Sequence, residues 1–271
     1  MIKKGIISLV CLLFLQQLAA QQQDPFRLRF QVQGTFTDLA VDQLNNIYLL
    51  NSNGQLKKLN PNGDSVAVFN DVRRYGKVYA IDVSNPLKTI LYFRDFGTVV
   101  VLDRLLGRRN AVDLRKTGLY QVKAVGQAFD NGYWVFDELE SKVKHLDESG
   151  QVKDQFTDFR LLFDSMPSPA VIIDQNKFLY LYDPAKGAYL FDYYGSFRKR
   201  IPYTGWKDFT VVSPYILGRD DQFLYRYDTR NLQLQQYPVN STMAQAIRIL
   251  ITPDYCYVLY ADRLEVLQYR N

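Results

Sequence analysis

A chain with a single histidine is limited in the chemistry it can perform, and here that residue is His145, set between Lys144 and Leu146. It would have to act alone as any imidazole base, and no His-based metal cluster can be built around it. No G-x-S-x-G elbow, phosphate-cradling Gly loop or H-E-x-x-H helix occurs, which disfavours serine and zinc hydrolysis. Carboxylates leave one route open. Asp38, Asp42, Asp82, Asp174 and Asp208 could offer oxygen ligands to a Ca²⁺ ion if the fold made them converge. Turn and strand-end Asx chemistry accounts for the same residues without a metal. Cys256, between Tyr255 and Tyr257, reads as a buried thiol, since a reactive one needs an electropositive, partly exposed setting.

The elements that must position these residues are legible as a degenerate repeat. Phe36 to Asp42, Asn46 to Leu50, Gln55 to Asn60 and Ser65 to Phe69 are four short apolar segments separated by turn residues. The same order returns down the chain. An aromatic marks the second segment of each unit at Tyr48, Tyr92, Trp134, Tyr180 and Tyr257, with Leu217 in the fifth place. An apolar residue followed by Asp or Asn ends the third at Leu59-Asn60, Leu102-Asp103, Leu146-Asp147, Phe191-Asp192 and Tyr227-Asp228. Markers fall about 36 to 46 residues apart, so six units result. Asn60-Pro61-Asn62-Gly63, Asp147-Glu148-Ser149-Gly150 and Asp192-Tyr193-Tyr194-Gly195 share an Asx-x-x-Gly turn. Unit two reads as one residue longer at Asp103 to Gly107, and unit five lacks the Gly after Asp228. In these units His145 falls at the place held by Lys58 and Arg226, and all three are expected on a solvated surface.

These features predict an all-β fold, a six-bladed β-propeller of four-stranded antiparallel blades. A large sandwich is the competing architecture. The sixth unit stops one strand short, whereas Phe26 to Gln33 alternates apolar and polar residues with no hairpin partner beside it. That segment is expected to complete blade six as its outermost strand, pairing near Leu264 to Tyr269. The units resemble six-bladed propellers of the TolB-like and NHL-repeat type, in the form of Leu39-Ala40-Val41-Asp42, Asn46-Ile47-Tyr48 and Leu59-Asn60 to Gly63. The resemblance covers nearly all of the chain but identifies an architecture shared by scaffolds and enzymes. Lactonases of this architecture hold Ca²⁺ in the central channel, so the alternative function is a Ca²⁺-dependent hydrolase using the five aspartates. They do not share one register across the units, which argues against a convergent ring.

Lys3 and Lys4 ahead of the apolar run Gly5 to Leu15 and Leu18-Ala19-Ala20 have the order of a secretory signal peptide. Residues 1–20 are therefore expected to be removed, leaving 21–271 as one domain, exported to the periplasm, the outer membrane or beyond. Loss of the two lysines lowers the formal charge of +5 to about +3, too small an excess to imply nucleic acid. Only Cys256 then remains, so stability must come from a core. No cofactor is expected. The expected role is non-catalytic binding of a protein partner in a bacterial envelope, through loops held on a rigid ring. Aromatic and basic candidates are Arg73, Arg74 and Tyr75; Tyr193, Tyr194, Phe197 and Arg198; and Tyr203 with Trp206.

Overall fold

The computed structural model describes residues 26–70 and 74–269; residues 1–20, expected to be a signal peptide, and Arg73 lie outside them. Six four-stranded antiparallel sheets form the blades of a propeller. Blades one to five are consecutive meanders over residues 36–69, 80–113, 122–155, 171–201 and 207–238. Blade six takes its three inner strands from residues 248–269 and its outermost strand from Phe26–Gln33. That strand pairs antiparallel with Arg263–Tyr269, from Phe26 opposite Tyr269 to Gln33 opposite Arg263. The sequence expectation for ring closure is met.

Burial explains why the second strands are so apolar. Each lies between two other strands of its sheet and between two flanking blades, so both its faces are covered: Lys88–Phe93 and Tyr133–Asp137 are buried at every position. The marker aromatics Tyr48, Tyr92, Trp134, Tyr180 and Tyr257 are all buried in this layer. Outermost strands read differently. Arg108–Asp113, Val152–Gln155 and Phe197–Ile201 are mostly exposed and carry Arg or Lys, which discourages edge pairing with other chains.

The turns between third and fourth strands have one design. Asn60 Oδ1 accepts the N–H groups of Asn62 and Asp64 at 2.9 Å, and Gly63 closes the turn with φ of 91°. Asp147 and Asp192 accept the same pair of N–H groups in blades three and four, closed by Gly150 and Gly195. Blade two departs from expectation, for its turn is no longer than these. Asp103 Oδ1 accepts from Leu105 and Gly107 at 2.8 Å, and Leu106 itself adopts the left-handed conformation with φ of 59°. A buried side chain holds Leu106 where glycine would be unstrained. The longer turn is in blade five, where Leu232 N–H reaches Asp228 O at 2.9 Å and takes φ of 62°.

Strand order fixes two faces. Connections between blades and the turns between second and third strands lie on one face, called upper here. Turns between first and second and between third and fourth strands lie on the lower face.

Candidate functional site

The five aspartates proposed as Ca²⁺ ligands are each engaged in a turn or in a tie between blades. Asp42 organises the turn after its strand, accepting from the N–H groups of Leu44 and Asn46 at 2.9 Å and from the Tyr48 hydroxyl at 3.1 Å. Asp82 of blade two accepts the Gln127 N–H of blade three at 2.7 Å. Asp174 of blade four reaches back to blade three, accepting the Phe129 N–H at 3.1 Å and the Trp134 indole N–H at 2.9 Å. Asp208 of blade five accepts the Ile249 N–H of blade six at 2.8 Å and faces the Arg219 guanidinium at 2.5 Å. Asp38 of blade one meets Arg248 of blade six. Among the described residues no three His, Cys, Asp or Glu side chains are grouped so as to hold a metal ion.

His145 corrects the sequence reading. Its register is as expected, since Tyr48 lies opposite Lys58, Trp134 opposite His145 and Leu217 opposite Arg226. Its exposure is not, for His145 is 5% exposed and Lys58 equally buried. Third strands near the middle of a blade are covered by neighbouring blades, and a residue there needs a partner. The imidazole stacks on Trp134 with centroids 4.3 Å apart, and Nε2 lies 3.0 Å from Asp130 Oδ1. Lys58 instead donates to Arg104 O at 3.0 Å and sits 5.0 Å over the Tyr48 ring.

Around His145 a cluster forms on the lower face between blades three and four. Phe129 stacks on Tyr193 with centroids 4.5 Å apart, and the Tyr193 hydroxyl donates to Asp174. Burial is the largest influence on Asp174 and pushes its carboxyl above the usual range, despite three donors that oppose the shift. Asp130 behaves oppositely: burial alone would raise it, but the Lys153 ammonium, His145 and the Gly132 N–H bring it down to about 2. Tyr193 is raised by burial first and by Asp174 second.

The binding candidates fall on opposite faces. Tyr193, Tyr194, Phe197 and Arg198 share the lower end of blade four, where Tyr194 is 95% exposed and Arg198 is tied to Asp192 at 2.7 Å. Arg74 and Tyr203 lie in upper-face connections, from blade one to two and from four to five. Tyr75 and Trp206, expected at the surface, are buried. Tyr75 packs against Phe93, and Trp206 lies between the rings of Tyr203 and Tyr225 at 5.2 and 5.0 Å. Gly218 makes that stack possible, because a Cβ there would come within 2.6 Å of the Trp206 ring.

A group that sequence reasoning missed gathers on the upper face over blades two and three. Tyr79, Phe96, Tyr120, Leu139 and Leu161 are exposed, from 41% at Tyr79 to 79% at Leu161. Contacts run through the sector: Phe96 covers Gly76, Arg94 lies 5.1 Å over the Tyr79 ring, and Arg160 donates to Glu140 O at 3.3 Å. Lower-face apolar residues are instead spread around blades one to five, at Leu44, Leu87, Leu105, Phe129, Tyr194, Phe197 and Leu232. Once the strands are placed, a scan of upper-face turns for Arg and aromatics would have found Arg94-Asp95-Phe96.

No protein-family model and no curated protein sequence matches the chain. Solved propellers do. Virginiamycin B lyase from Staphylococcus aureus is 13% identical over 86% of this chain and 80% of its own, with a TM-score of 0.58. The WD40 domain of Neurospora crassa Pan2 is 11% identical over 88% and 80%, with a TM-score of 0.60. PorZ, an essential bacterial surface component of the type-IX secretion system of Porphyromonas gingivalis, is 9% identical with a TM-score of 0.51. This chain spans 92% of itself but 39% of PorZ in that alignment. What the chain shares with all three is the propeller fold. A lyase and a WD40 domain on one architecture leave function to be argued from surfaces.

Proposed function

We propose that the chain is an exported, non-catalytic propeller that binds a protein partner in a bacterial envelope through the upper face over blades two and three. The observation that carries this reading is the concentration of Tyr79, Phe96, Tyr120, Leu139 and Leu161 with Arg94 in one sector. Tyr and Arg are enriched where binding energy concentrates, and exposed apolar residues grouped in one sector mark a candidate interaction surface. The inner-strand aspartates support the same reading from the other side, because each already serves a turn or a blade-to-blade tie. PorZ, which matches this fold over part of its length, is a surface component of a secretion system, which makes the architecture compatible with an envelope role.

The test is site-specific photo-crosslinking in the native envelope, with the reactive residue at Tyr120 or at Tyr194. A discrete adduct from position 120 and none from 194 is the expected result. Adducts from 194 alone would move the binding surface to the lower face, and none from either would remove the protein-binding reading.

A further inference from the structure

Arg94 stands apart from other surface arginines of the ring. Arg160, Arg198 and Arg230 each hold a carboxylate oxygen at 2.5 to 2.7 Å. Arg94 makes only long contacts, from Nη1 to the Tyr79 hydroxyl at 3.4 Å and from Nη2 to Glu138 Oε2 at 4.0 Å. A guanidinium carries five N–H donors in a planar fork, and at these distances most of them are without a good acceptor. Glu138 does not depend on Arg94. Its other oxygen accepts the Ser168 hydroxyl at 3.1 Å and faces the Lys123 ammonium at 3.7 Å, so its charge is offset from the far side. The Tyr79 ring beneath Arg94 holds the fork in place, which lowers the ordering cost of binding.

The fork opens on a cleft of about 300 Å³, lined also by Tyr120, Gln121, Glu138 and the buried Tyr92. That volume is at the lower limit of ligand pockets and suits one side chain or a small acid. We infer that this cleft is an anion subsite that takes a carboxylate, which on the function proposed above is the side chain of an Asp or Glu in the protein partner. A planar carboxylate matches the fork with two parallel hydrogen bonds. A phosphate dianion fits less well, because Glu138 stands 4.0 Å from the fork and repels the second charge.

The experiment uses the purified full chain and follows the Arg94 Nε–H resonance by NMR, identified by its loss in Arg94→Lys. Three probes are titrated: acetyl-Ala-Glu-Ala-amide, succinate and inorganic phosphate. The peptide and succinate are expected to move the resonance at millimolar concentrations, and phosphate less. Arg94→Gln, followed through the backbone amide of Gln121 in the cleft wall, should weaken both carboxylates about tenfold or more, as loss of a charge-assisted pair requires. Glu138→Gln should strengthen them by roughly threefold, by removing a nearby like charge of modest, solvent-screened effect. Weakening of carboxylate binding by Glu138→Gln would overturn the proposal, as would no response to either carboxylate. Binding of succinate without the peptide keeps the subsite but makes its ligand a free acid. Photo-crosslinks from Tyr120 report on the protein partner independently, so loss of one result leaves the other standing.

Discussion

Asp174 and Asp208 lie in the first strands of adjacent blades, and each accepts a main-chain N–H from a neighbouring blade, Phe129 in one case and Ile249 in the other. Around that shared bond their surroundings differ. Asp174 is met by an indole N–H and a phenol, and no cation is among its donors. Asp208 faces Arg219 at 2.5 Å and Arg248 at 3.5 Å, and Arg248 continues to Asp38, so one guanidinium bridges blades five, six and one. The seam between blades three and four is therefore built from neutral donors and stacked rings, and the joint at blade six from buried charge. An inner-strand Asp in this ring is a tie whose chemistry is set by what the neighbouring blade offers it.

Removing the carboxylate should separate the two regions most clearly. Asp208→Ala leaves Arg219, 4% exposed, and Arg248 facing no acceptor on that side, at a cost of about 3 to 5 kcal/mol. Asp174→Ala leaves neutral donors unsatisfied, at a cost of about 2 kcal/mol. Calorimetry should therefore place the Tm of the Asp208 variant below that of the Asp174 variant by several degrees. Equal melting temperatures would mean that buried charge and neutral donors contribute alike.

The aromatic side of the comparison is sharpened at His145. Truncation to Ala removes the stack on Trp134 and a partner of Asp130, and a cost of about 2 kcal/mol is expected. Chemical denaturation of the variant measures it. A loss under about 0.5 kcal/mol, the usual size for surface sites, would return His145 to the solvated reading.

The smallest effect is one of pH, and Asp130 of blade three and Asp174 of the seam beside it should act with opposite sign. Asp130 is held at about 2 against an ordinary 3.8, so its contribution is present above the ordinary value and lost as pH falls through about 2. Solvent screening keeps that contribution near 1 kcal/mol. Asp174 has its carboxyl raised, so the folded protein holds that proton more tightly; its contribution is full below 3.8 and declines as pH rises through the folded value. Melting curves from pH 2 to 7 should show the deficit of Asp130→Asn vanishing at the acid end. Asp174→Asn should remove a loss of stability on the rising-pH side. A deficit of Asp130→Asn that is constant with pH would break the assignment.

The sequence made the ring legible because its signal is local: strand alternation, Asx turns and one buried aromatic per unit lie within a few residues of one another. It also made the closing strand legible, since Phe26 to Gln33 had the pattern of a half-buried strand and the last unit lacked one. Surfaces were harder. Whether Trp206 is exposed depends on Gly218 and Tyr225, which lie beneath it in two other strands, and whether His145 is solvated depends on blade-to-blade packing. The division of Tyr194 and Arg74 between opposite faces follows from strand order alone.

Closure by Phe26–Gln33 has a consequence for the order of assembly. Arg27 and Gln268 touch across the last seam although 241 positions separate them in the chain. Hairpins within each blade can form as soon as their own residues are available, but this pairing must wait for nearly the whole polypeptide. Bringing ends that far apart together costs about 5 kcal/mol of loop entropy, and its reward arrives in a single step. Blades one to five are thus rich in short-range contacts that form early, whereas the sixth is the slow, long-range event. Until it occurs, the inner strands of blade six have an unpaired edge, the state most open to misassociation during folding.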